Sequence, residues 1–447
     1  MKSICEFAKK YYYSPIPSPD SLTNHGAIPL LFSVFLDYAN IMLFGILMAP
    51  ILLVKTNLPG SDILHFFDIG DAGKRFTLAM LIGVYPFLQF FFAPIIGQLS
   101  DRFGRKPLLL ICLFCLVISS FIIALGVQLG EYYAGSIALL FIGRSFQGVC
   151  SANISVSQSS LTDYISNNQG KDAFGVKFIG FGMFASMGAL TGSLGSALLP
   201  SWGGYATPFW AIDILYGFGF IWVLFFFKET LPKEKRNRNK DVSYNPFIGI
   251  KYIYQTITSI SSSMAFLILM LLFYRVGWQF FVNFAQVFVQ VKFNINHLEF
   301  WVGMLFVAGM LGYNINEYFI NQPLNIKGVG MEKIMCFTLF LEGVFFLASS
   351  FTGSFMPGFF VLAILGITAN SYNSSNSAAA IASNSPEQDK GKVMGCALSI
   401  QSIAQIIACI SCAFAYNGYS GLPMILAGGI ILLGWSLLIL KRFFVKI

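Results

Sequence analysis

Near residue 100, between two apolar segments, the chain reads Gly97-Gln98-Leu99-Ser100-Asp101-Arg102-Phe103-Gly104-Arg105-Lys106-Pro107. A short turn between antiparallel membrane helices needs glycine for its tight backbone angles, and it needs basic residues to stay in the cytoplasm. An aspartate at a helix end can also face the N-terminus of a neighbouring helix, where the helix dipole favours an anion. Because these requirements are met together, the stretch predicts a specific connection between two membrane-spanning helices rather than a merely basic turn.

The composition of the whole chain agrees with a membrane protein. Of its 447 residues, 56% are hydrophobic and only 11% are charged, whereas a soluble domain has about 25% charged residues. A transmembrane helix needs about 20 apolar residues, so the apolar content suffices for roughly twelve spans. We therefore expect an all-α integral membrane protein and exclude a water-soluble enzyme.

Apolar segments separated by glycine, proline and charged residues fall into two sets of six, numbered spans 1 to 12. The first set lies near residues 28–54, 76–99, 108–128, 136–160, 173–198 and 207–227. The second set lies near residues 262–290, 297–320, 333–353, 358–382, 392–416 and 422–441. The expected organisation is an N-terminal segment at 1–27, six-helix bundles at 28–227 and 262–441, a hydrophilic linker at 228–261 and a tail at 442–447.

Lysine and arginine set the expected orientation in the membrane. They collect on the side that holds the N-terminus, the turn after span 2, the linker and the C-terminal tail. By the positive-inside rule, both termini are cytoplasmic. The net charge of +8 is therefore a topology signal, and without a basic face along a helix or sheet we expect no nucleic-acid partner. The N-terminal segment has no apolar signal core, so span 1 is expected to act as its own insertion signal.

Metal, cofactor and enzyme chemistry find little support in the sequence. The eight cysteines lie almost all inside apolar runs, where they are expected to pack rather than form disulfides or bind metal. The chain has no phosphate-binding Gly-x-x-x-x-Gly-Lys-Ser/Thr loop, so ATP is not the expected energy source. A membrane enzyme would need a cluster of reactive groups, and His65 with Asp68 and Asp71 in the first outer loop is the one candidate. We expect no metal and no cofactor.

The turn after span 2 strongly resembles the loop 2–3 signature of the major facilitator superfamily. Span 2, from Tyr85 to Pro94, resembles that of its twelve-helix drug:proton antiporters, especially the tetracycline-resistance-like branch. The resemblance continues at Gly143–Gly148 in span 4 and Lys228–Pro232 after span 6, and it weakens in the C-terminal half. It implies two six-helix bundles that rock about a substrate site near the midplane.

Span 5 departs from the antiporter pattern. It reads Gly188-Ala189-Leu190-Thr191-Gly192-Ser193, and the family's proline is missing. Gly188 and Gly192 still suit close packing between two helices. The missing proline weakens the assignment to antiport, and it leaves symport and uniport open without affecting the expected fold.

Asp37 in span 1 is the one acid well within spans 1 to 5. An ionisable group inside the membrane is costly, and it is a functional candidate by default. We predict that Asp37 carries the coupling proton, so that the proton gradient supplies the energy for transport. The alternative is a structural carboxylate satisfied by Tyr38, Asn40 or a neighbouring span.

Two arginines lie within predicted spans. Arg144 in span 4 resembles the buried arginine of the family. The resemblance implies that it shifts the pKa of a nearby carboxylate or binds that carboxylate directly. Whether it pairs with Asp37 is left open. Arg275 in span 7 stands beside Trp278 and predicts a ligand for an anionic group of the substrate. The alternatives for Arg275 are snorkelling toward the cytoplasm and pairing with Glu342 of span 9.

In the family, spans 1, 4, 7 and 10 surround the substrate path, and all four carry polar side chains here. The predicted cavity residues are Asn40, Arg144, Gln147, Asn153, Arg275, Trp278, Asn283, Gln286, Asn370, Tyr372, Asn373 and Asn376. The predicted conformational latch consists of Gly97, Asp101, Arg102, Gly104, Arg105 and Asp163. In this latch Asp101 is expected to face span 11 near residues 392–395, and Arg105 to pair with Asp163.

These features predict a secondary active transporter that moves a small amphipathic molecule by alternating access, with proton-coupled efflux as the leading function. The alternatives are proton-coupled uptake of a nutrient, a metabolite or a siderophore-like anion, and a transporter-like receptor. The expected partners are the small-molecule substrate and the lipid bilayer. We expect a monomer in the cytoplasmic (inner) membrane of a bacterium.

Overall fold

The computed structural model describes residues 27–54, 58–67, 69–168, 174–231, 236, 262–321, 323–324, 331–383, 390–415 and 421–444. Side chains at 27, 162, 164–168, 174–180, 262–265, 331–332, 375–383, 390–398, 412–415 and 441–444 are excluded from the description. Throughout these ranges the regular structure is helical, and no β-strand occurs in them. The expected all-α fold is confirmed.

The N-terminal half contains eight α-helices within the described ranges. They are α1 (Ala27–Leu53), α2 (Asp71–Phe103), α3 (Arg105–Gln128), α4 (Ser136–Cys150), α5 (Asn153–Asn168), α6 (Phe174–Leu198), α7 (Pro200–Gly203) and α8 (Thr207–Phe226). The C-terminal half contains α9 (Ser262–Phe293), α10 (Leu298–Asn316), α11 (Met331–Ser349), α12 (Met356–Ser383), α13 (Lys390–Ala415) and α14 (Leu422–Phe444). A π-helical turn at Glu317–Asn321 extends α10.

Every predicted span coincides with a helix. Spans 1 to 3 are α1 to α3, span 4 is α4 with α5, spans 5 and 6 are α6 and α8, and spans 7 to 12 are α9 to α14. Among the described residues, eight helical segments are long and apolar enough to cross a membrane, and they belong to spans 1 to 4, 6 to 8 and 12. Membrane crossing by the other four spans stays a prediction, as do the boundaries of the two bundles and the linker, much of which lies outside the described ranges.

The apolar core divides largely by halves of the sequence. One cluster of buried side chains comes almost entirely from α9 to α14, with Tyr274, Phe281 and Phe346 among its largest members. Two other clusters come almost entirely from α1 to α8. Burial of apolar side chains therefore holds each half together.

Two glycines of α6 lie against α1. A methyl group on Gly188 would meet the carbonyl oxygen of Phe35, and one on Gly192 would meet the carbonyl oxygen of Ala39. The equal spacing of four residues on both helices means that α1 and α6 run side by side in the same direction. Glycine at both positions allows the two backbones to approach, as the sequence predicts for this span.

Candidate functional site

A small cavity of about 60 Å³ lies where the two halves meet. Its walls come from α1, α2 and α4 of the N-terminal half and from α9, α10 and α13 of the C-terminal half. Of the predicted cavity residues, four line it: Arg144, Trp278, Asn283 and Gln286. Sequence reasoning missed the two other polar residues of the lining, Gln279 and Gln405. Span 10 contributes no residue to the described lining, whereas spans 2, 8 and 11, which were not expected to line the cavity, do so.

Arg144 is buried, with 2% of its surface exposed. Its guanidinium carbon lies over two rings, 3.9 Å from the centroid of Phe44 and 4.4 Å from that of Tyr85. Nη1 donates a hydrogen bond to Oε1 of Gln147 at 2.8 Å, and Nε has no hydrogen-bond partner. Cation–π attraction to the two rings and the hydrogen bond to Gln147 together restrain the guanidinium.

The position of Tyr85 beside Arg144 depends on a glycine in α4. A methyl group on Gly148 would lie 2.7 Å from the carbonyl oxygen of Tyr85. Without a side chain there, α4 packs directly on the backbone of α2, and the ring of Tyr85 reaches the guanidinium one turn away. This packing gives a physical reason for the Gly143–Gly148 motif identified in the sequence.

Asp37 is buried between α1, α5 and α8 and does not line the cavity. Its Oδ2 accepts a hydrogen bond from Nδ2 of Asn153 at 2.5 Å, and its Oδ1 accepts one from the Tyr216 hydroxyl at 3.1 Å. Asn40, another predicted cavity residue, also contacts Tyr216. Sequence reasoning missed Tyr216, because a tyrosine in the apolar span 6 carries no signal of its own.

No ion pair joins Asp37 to Arg144 among the residues described. Phe44, which stacks on the guanidinium, follows Asp37 by seven residues on α1, or about 10 Å at 1.5 Å per residue. Gln147 bonds to the arginine and Asn153 to the aspartate. The two charged groups therefore have separate partners about two helical turns apart.

A second buried carboxylate lies in the C-terminal half. Glu342 of α11 is fully buried, and it accepts hydrogen bonds from Nδ2 of Asn370 at 3.0 Å and from Nδ2 of Asn373 at 2.5 Å. Asn370 also donates to the hydroxyl of Tyr274 at 2.9 Å. The expectation that these asparagines line the cavity is not met, because a carboxylate inside the membrane needs hydrogen-bond donors and the asparagines supply them.

The remaining predicted cavity residues lie elsewhere. Arg275 is half-buried, with its guanidinium 5.2 Å from the ring centroid of Tyr274, and it does not line the cavity. Within the described ranges it forms no ion pair, so the alternative pairing with Glu342 is not formed in this conformation. Tyr372 is buried in α12 away from the lining. The side chain of Asn376 is not among those described.

The turn between α2 and α3 brings together most of the predicted latch. Nε of Arg105 lies 2.9 Å from Oδ2 of Asp163, and its Nη1 lies 2.6 Å from Oδ1 of Asp101. Burial raises the pKa of Asp163, while the neighbouring Arg105 acts to lower it. The expected contact of Asp101 with span 11 involves side chains at 392–395 that lie outside the description.

The other latch residues have smaller roles in this conformation. Gly104 has φ of +109°, a backbone angle that favours glycine. Gly97 has no neighbouring atom within 4 Å of the position where a methyl would stand. The guanidinium of Arg102 lies 5.7 Å from the ring centroid of Phe103.

Glu229 is a member of this cluster that the sequence did not single out as a site. Its Oε1 accepts the backbone N–H of Arg105 at 2.9 Å, and its Oε2 accepts that of Lys106 at 3.3 Å. It also forms an ion pair with Arg236 at 3.4 Å. A carboxylate from the segment after α8 therefore caps the N-terminus of α3.

Residues 30–408 match the family profile described as Major Facilitator Superfamily. The chain is 27% identical over 347 residues to the tetracycline resistance protein, class G, of Vibrio anguillarum, covering 76% of this chain and 81% of that protein. It is 24% identical over 404 residues to the class D protein of Salmonella ordonez, covering 87% of this chain and 90% of that protein. The fold also matches the crystal structure of the human organic anion transporter MFSD10 (TETRAN) with a TM-score of 0.70 at 18% identity, covering 92% of this chain and 99% of that one.

Proposed function

Since the chain belongs to the Major Facilitator Superfamily, whose members are membrane transporters and not enzymes, we propose that it moves a small amphipathic molecule by alternating access in exchange for protons. The observation that carries the proposal is the arrangement along α1. The buried carboxylate of Asp37 and the α1 wall of the cavity, from Ile41 to Ile46, lie about one to two turns apart on the same helix. Proton binding and substrate binding therefore act on the same element.

Asp37 is the proposed proton carrier. When ionised, its two oxygens accept hydrogen bonds from Asn153 of α5 and Tyr216 of α8. A protonated carboxyl group must donate its own hydrogen, so it keeps only part of this accepting capacity. Proton loading thus weakens the contacts of α1 with α5 and α8, which frees α1 to move relative to its own bundle.

Alternating access requires contacts between the halves that close one side and break when that side opens. Three contacts fit this role at the end expected to face outward. The Tyr205 hydroxyl donates to Oε2 of Glu299 at 3.1 Å, and Gly303 packs against the carbonyl of Ser193 and the methyl of Ala197. By the predicted topology, the Arg105 cluster lies at the opposite, cytoplasmic end. Opening toward the outside must break the contacts at Glu299 and Gly303.

Export is the proposed direction. Both curated relatives described above are named for tetracycline resistance, which supports efflux across a bacterial cytoplasmic membrane. The basic turn and linker support a cytoplasmic position for both termini. Within the cavity, the proposed substrate contacts are Arg144, Trp278, Asn283 and Gln286, and no second chain is needed to complete the lining.

Transport by purified protein in liposomes tests the proposal. The probes are tetracycline and the aromatic carboxylate 2-naphthoate, each radiolabelled, with and without an imposed pH gradient. We expect at least one probe to accumulate against its own gradient when the protons flow the opposite way. If neither probe is driven by the pH gradient in liposomes that contain folded protein, proton-coupled transport is contradicted.

A further inference from the structure

We propose that the substrate of the central cavity is an organic anion with an aromatic or aliphatic body, and that its anionic group binds the guanidinium of Arg144. This inference rests on the transport function proposed above, and it names the substrate class. Three features of the cavity support it: the charge of the lining, the geometry of the arginine, and the distribution of apolar and polar groups around it.

The first feature is an uncompensated positive charge. Arg144 is the single charged residue in the lining, which contains no carboxylate. Although it is almost fully buried, Arg144 forms no ion pair with any residue that the structure describes. A buried charge without a counter-ion is strongly destabilising, so such a site favours a ligand that brings the missing negative charge.

Asp37 does not supply that charge. Both of its oxygens already accept hydrogen bonds from Asn153 and Tyr216, and it lies outside the lining. Glu342 is likewise occupied by two asparagines and lies outside the lining. A cationic substrate in the cavity would therefore meet Arg144 without a neighbouring carboxylate to offset the repulsion between the two positive charges.

The second feature is the orientation of the guanidinium. The rings of Phe44 and Tyr85 have their centroids within 4.4 Å of its Cζ, and Gln147 accepts a hydrogen bond from its Nη1. Nε has no acceptor, so the group has donors to spare for a ligand. A planar fork of N–H donors held in one orientation matches the two oxygens of a carboxylate or sulfonate.

The third feature is the amphipathic character of the other walls. Trp278 and Phe306 provide aromatic surface and Ile46 and Val302 provide aliphatic surface, which suits the body of an organic anion better than a small inorganic ion. Oε1 of Gln286 has no donor, so a hydroxyl or N–H of the ligand has an acceptor there. At about 60 Å³ the cavity is smaller than such a ligand, so it must widen when the halves separate.

Binding of three matched probes to the full-length protein in detergent tests the inference. They share one ring system and differ in charge: 2-naphthoate is an anion, 2-naphthylmethanol is neutral and 2-naphthylmethylammonium is a cation. At neutral pH we expect the anion to bind at least about tenfold more tightly than either of the others, as a charged hydrogen-bonded contact implies. The inference is overturned if the anion does not bind, or if it binds no more tightly than the neutral and cationic probes. It is also overturned if chloride at about 0.15 M, the ionic strength of physiological buffers, displaces the anion completely.

Substitutions assign the binding to Arg144. Arg144→Gln should lower the affinity for 2-naphthoate about tenfold or more and leave the affinity for 2-naphthylmethanol unchanged. Arg144→Lys should bind 2-naphthoate with an affinity between those of the wild-type protein and Arg144→Gln, because lysine keeps the charge but lacks the planar fork. The matched control is Arg75→Gln, a partly exposed arginine near the outer end of α2. Unchanged anion binding by Arg144→Gln contradicts the assignment.

A second variant keeps the test decisive if Arg144→Gln does not fold. Asn283→Asp is nearly isosteric, and it adds a carboxylate to the lining. We expect it to lose affinity for 2-naphthoate and to gain affinity for 2-naphthylmethylammonium, and unchanged preferences would overturn the inference. If the wild-type protein binds 2-naphthoate as expected but the pH gradient drives neither probe of the transport assay, the anion site stands and the proposed function fails. If it transports only the cation, the proposed function stands and the anion site fails.

Discussion

Asp37 on α1 and Arg144 on α4 are both buried, and among the described residues no ion pair joins them. The carboxylate of Asp37 accepts hydrogen bonds from Asn153 and Tyr216, whereas Arg144 lies against the rings of Phe44 and Tyr85 and donates to Gln147. Proton binding at one residue and ligand binding at the other therefore need no direct exchange between them. In the proposed mechanism the two events are coupled through α1, which carries both Asp37 and Phe44.

Close packing of α6 on α1 makes a stability prediction. Gly192→Ala should destabilise the protein by about 1–3 kcal/mol, because the added methyl meets the backbone carbonyl of Ala39. Gly182→Ala on the same helix is the matched control, since a methyl there has nothing within 4 Å and alanine favours the helix. Thermal unfolding in detergent measures the stability of both variants. Equal midpoint temperatures for Gly192→Ala and Gly182→Ala would show that α1 and α6 are not closely packed at Gly192.

The cap on α3 makes a second prediction. Glu229→Gln should destabilise the protein by about 0.5–2 kcal/mol, because an amide interacts less favourably than a carboxylate with the helix N-terminus and with Arg236. The control is Lys228→Gln, which changes a charge at the neighbouring position without touching the cap. If the two variants unfold at the same temperature, the contact of Glu229 with α3 carries no stability.

The Arg105 cluster predicts a dependence on pH. Burial raises the pKa of Asp163 despite the neighbouring Arg105, so Asp163 begins to take up a proton at milder acidity than an exposed aspartate. As the pH falls, this proton uptake breaks the ion pair with Arg105, and the turn between α2 and α3 is held less tightly to α5. Asp163→Asn should therefore show, already at neutral pH, the slowed turnover that the wild-type protein reaches only on acidification. An unchanged pH profile in this variant would contradict the role of the pair.

Glu342 and Asp37 should differ in their effects. Glu342→Gln should lower thermal stability by about 1–3 kcal/mol, because a glutamine can accept from only one of the two asparagine amides and its own N–H₂ group faces the other. The rate of transport driven by a pH gradient, normalised to the amount of folded protein, should be unchanged in Glu342→Gln. Loss of the pH-driven component with stability intact would make Glu342 a second proton site.

The fold follows from the sequence because the membrane permits few arrangements of the backbone. Apolar length alone marks the spans, and the turn from Gly97 to Pro107 marks how two of them connect. Side-chain partners are harder to predict, because polarity places a residue in a span without showing which neighbour it faces. Asn370 and Asn373 are polar residues of a span expected to line the cavity, and the nearby Glu342 determines where their amides point.

A sequence pattern also does not reveal contacts between residues that are far apart along the chain. Glu229 caps a helix that begins 124 residues earlier, and its sequence motif gives no sign of the contact. Arg144 and Arg275 are equally unusual in their spans, yet only Arg144 lines the cavity. The difference comes from the rotation of each helix about its own axis, which depends on how the neighbouring helices pack.

The role of Asp37 is tested most directly by transport through Asp37→Asn in liposomes, with the probe that the wild-type protein transports in the assay above. Asparagine resembles the protonated carboxyl group and cannot release a proton. We predict that accumulation driven by a pH gradient is lost, while exchange of labelled for unlabelled probe without a gradient survives at least in part, both normalised to folded, inserted protein. Accumulation by Asp37→Asn at the wild-type rate under the same pH gradient would contradict the proton-coupling role of Asp37.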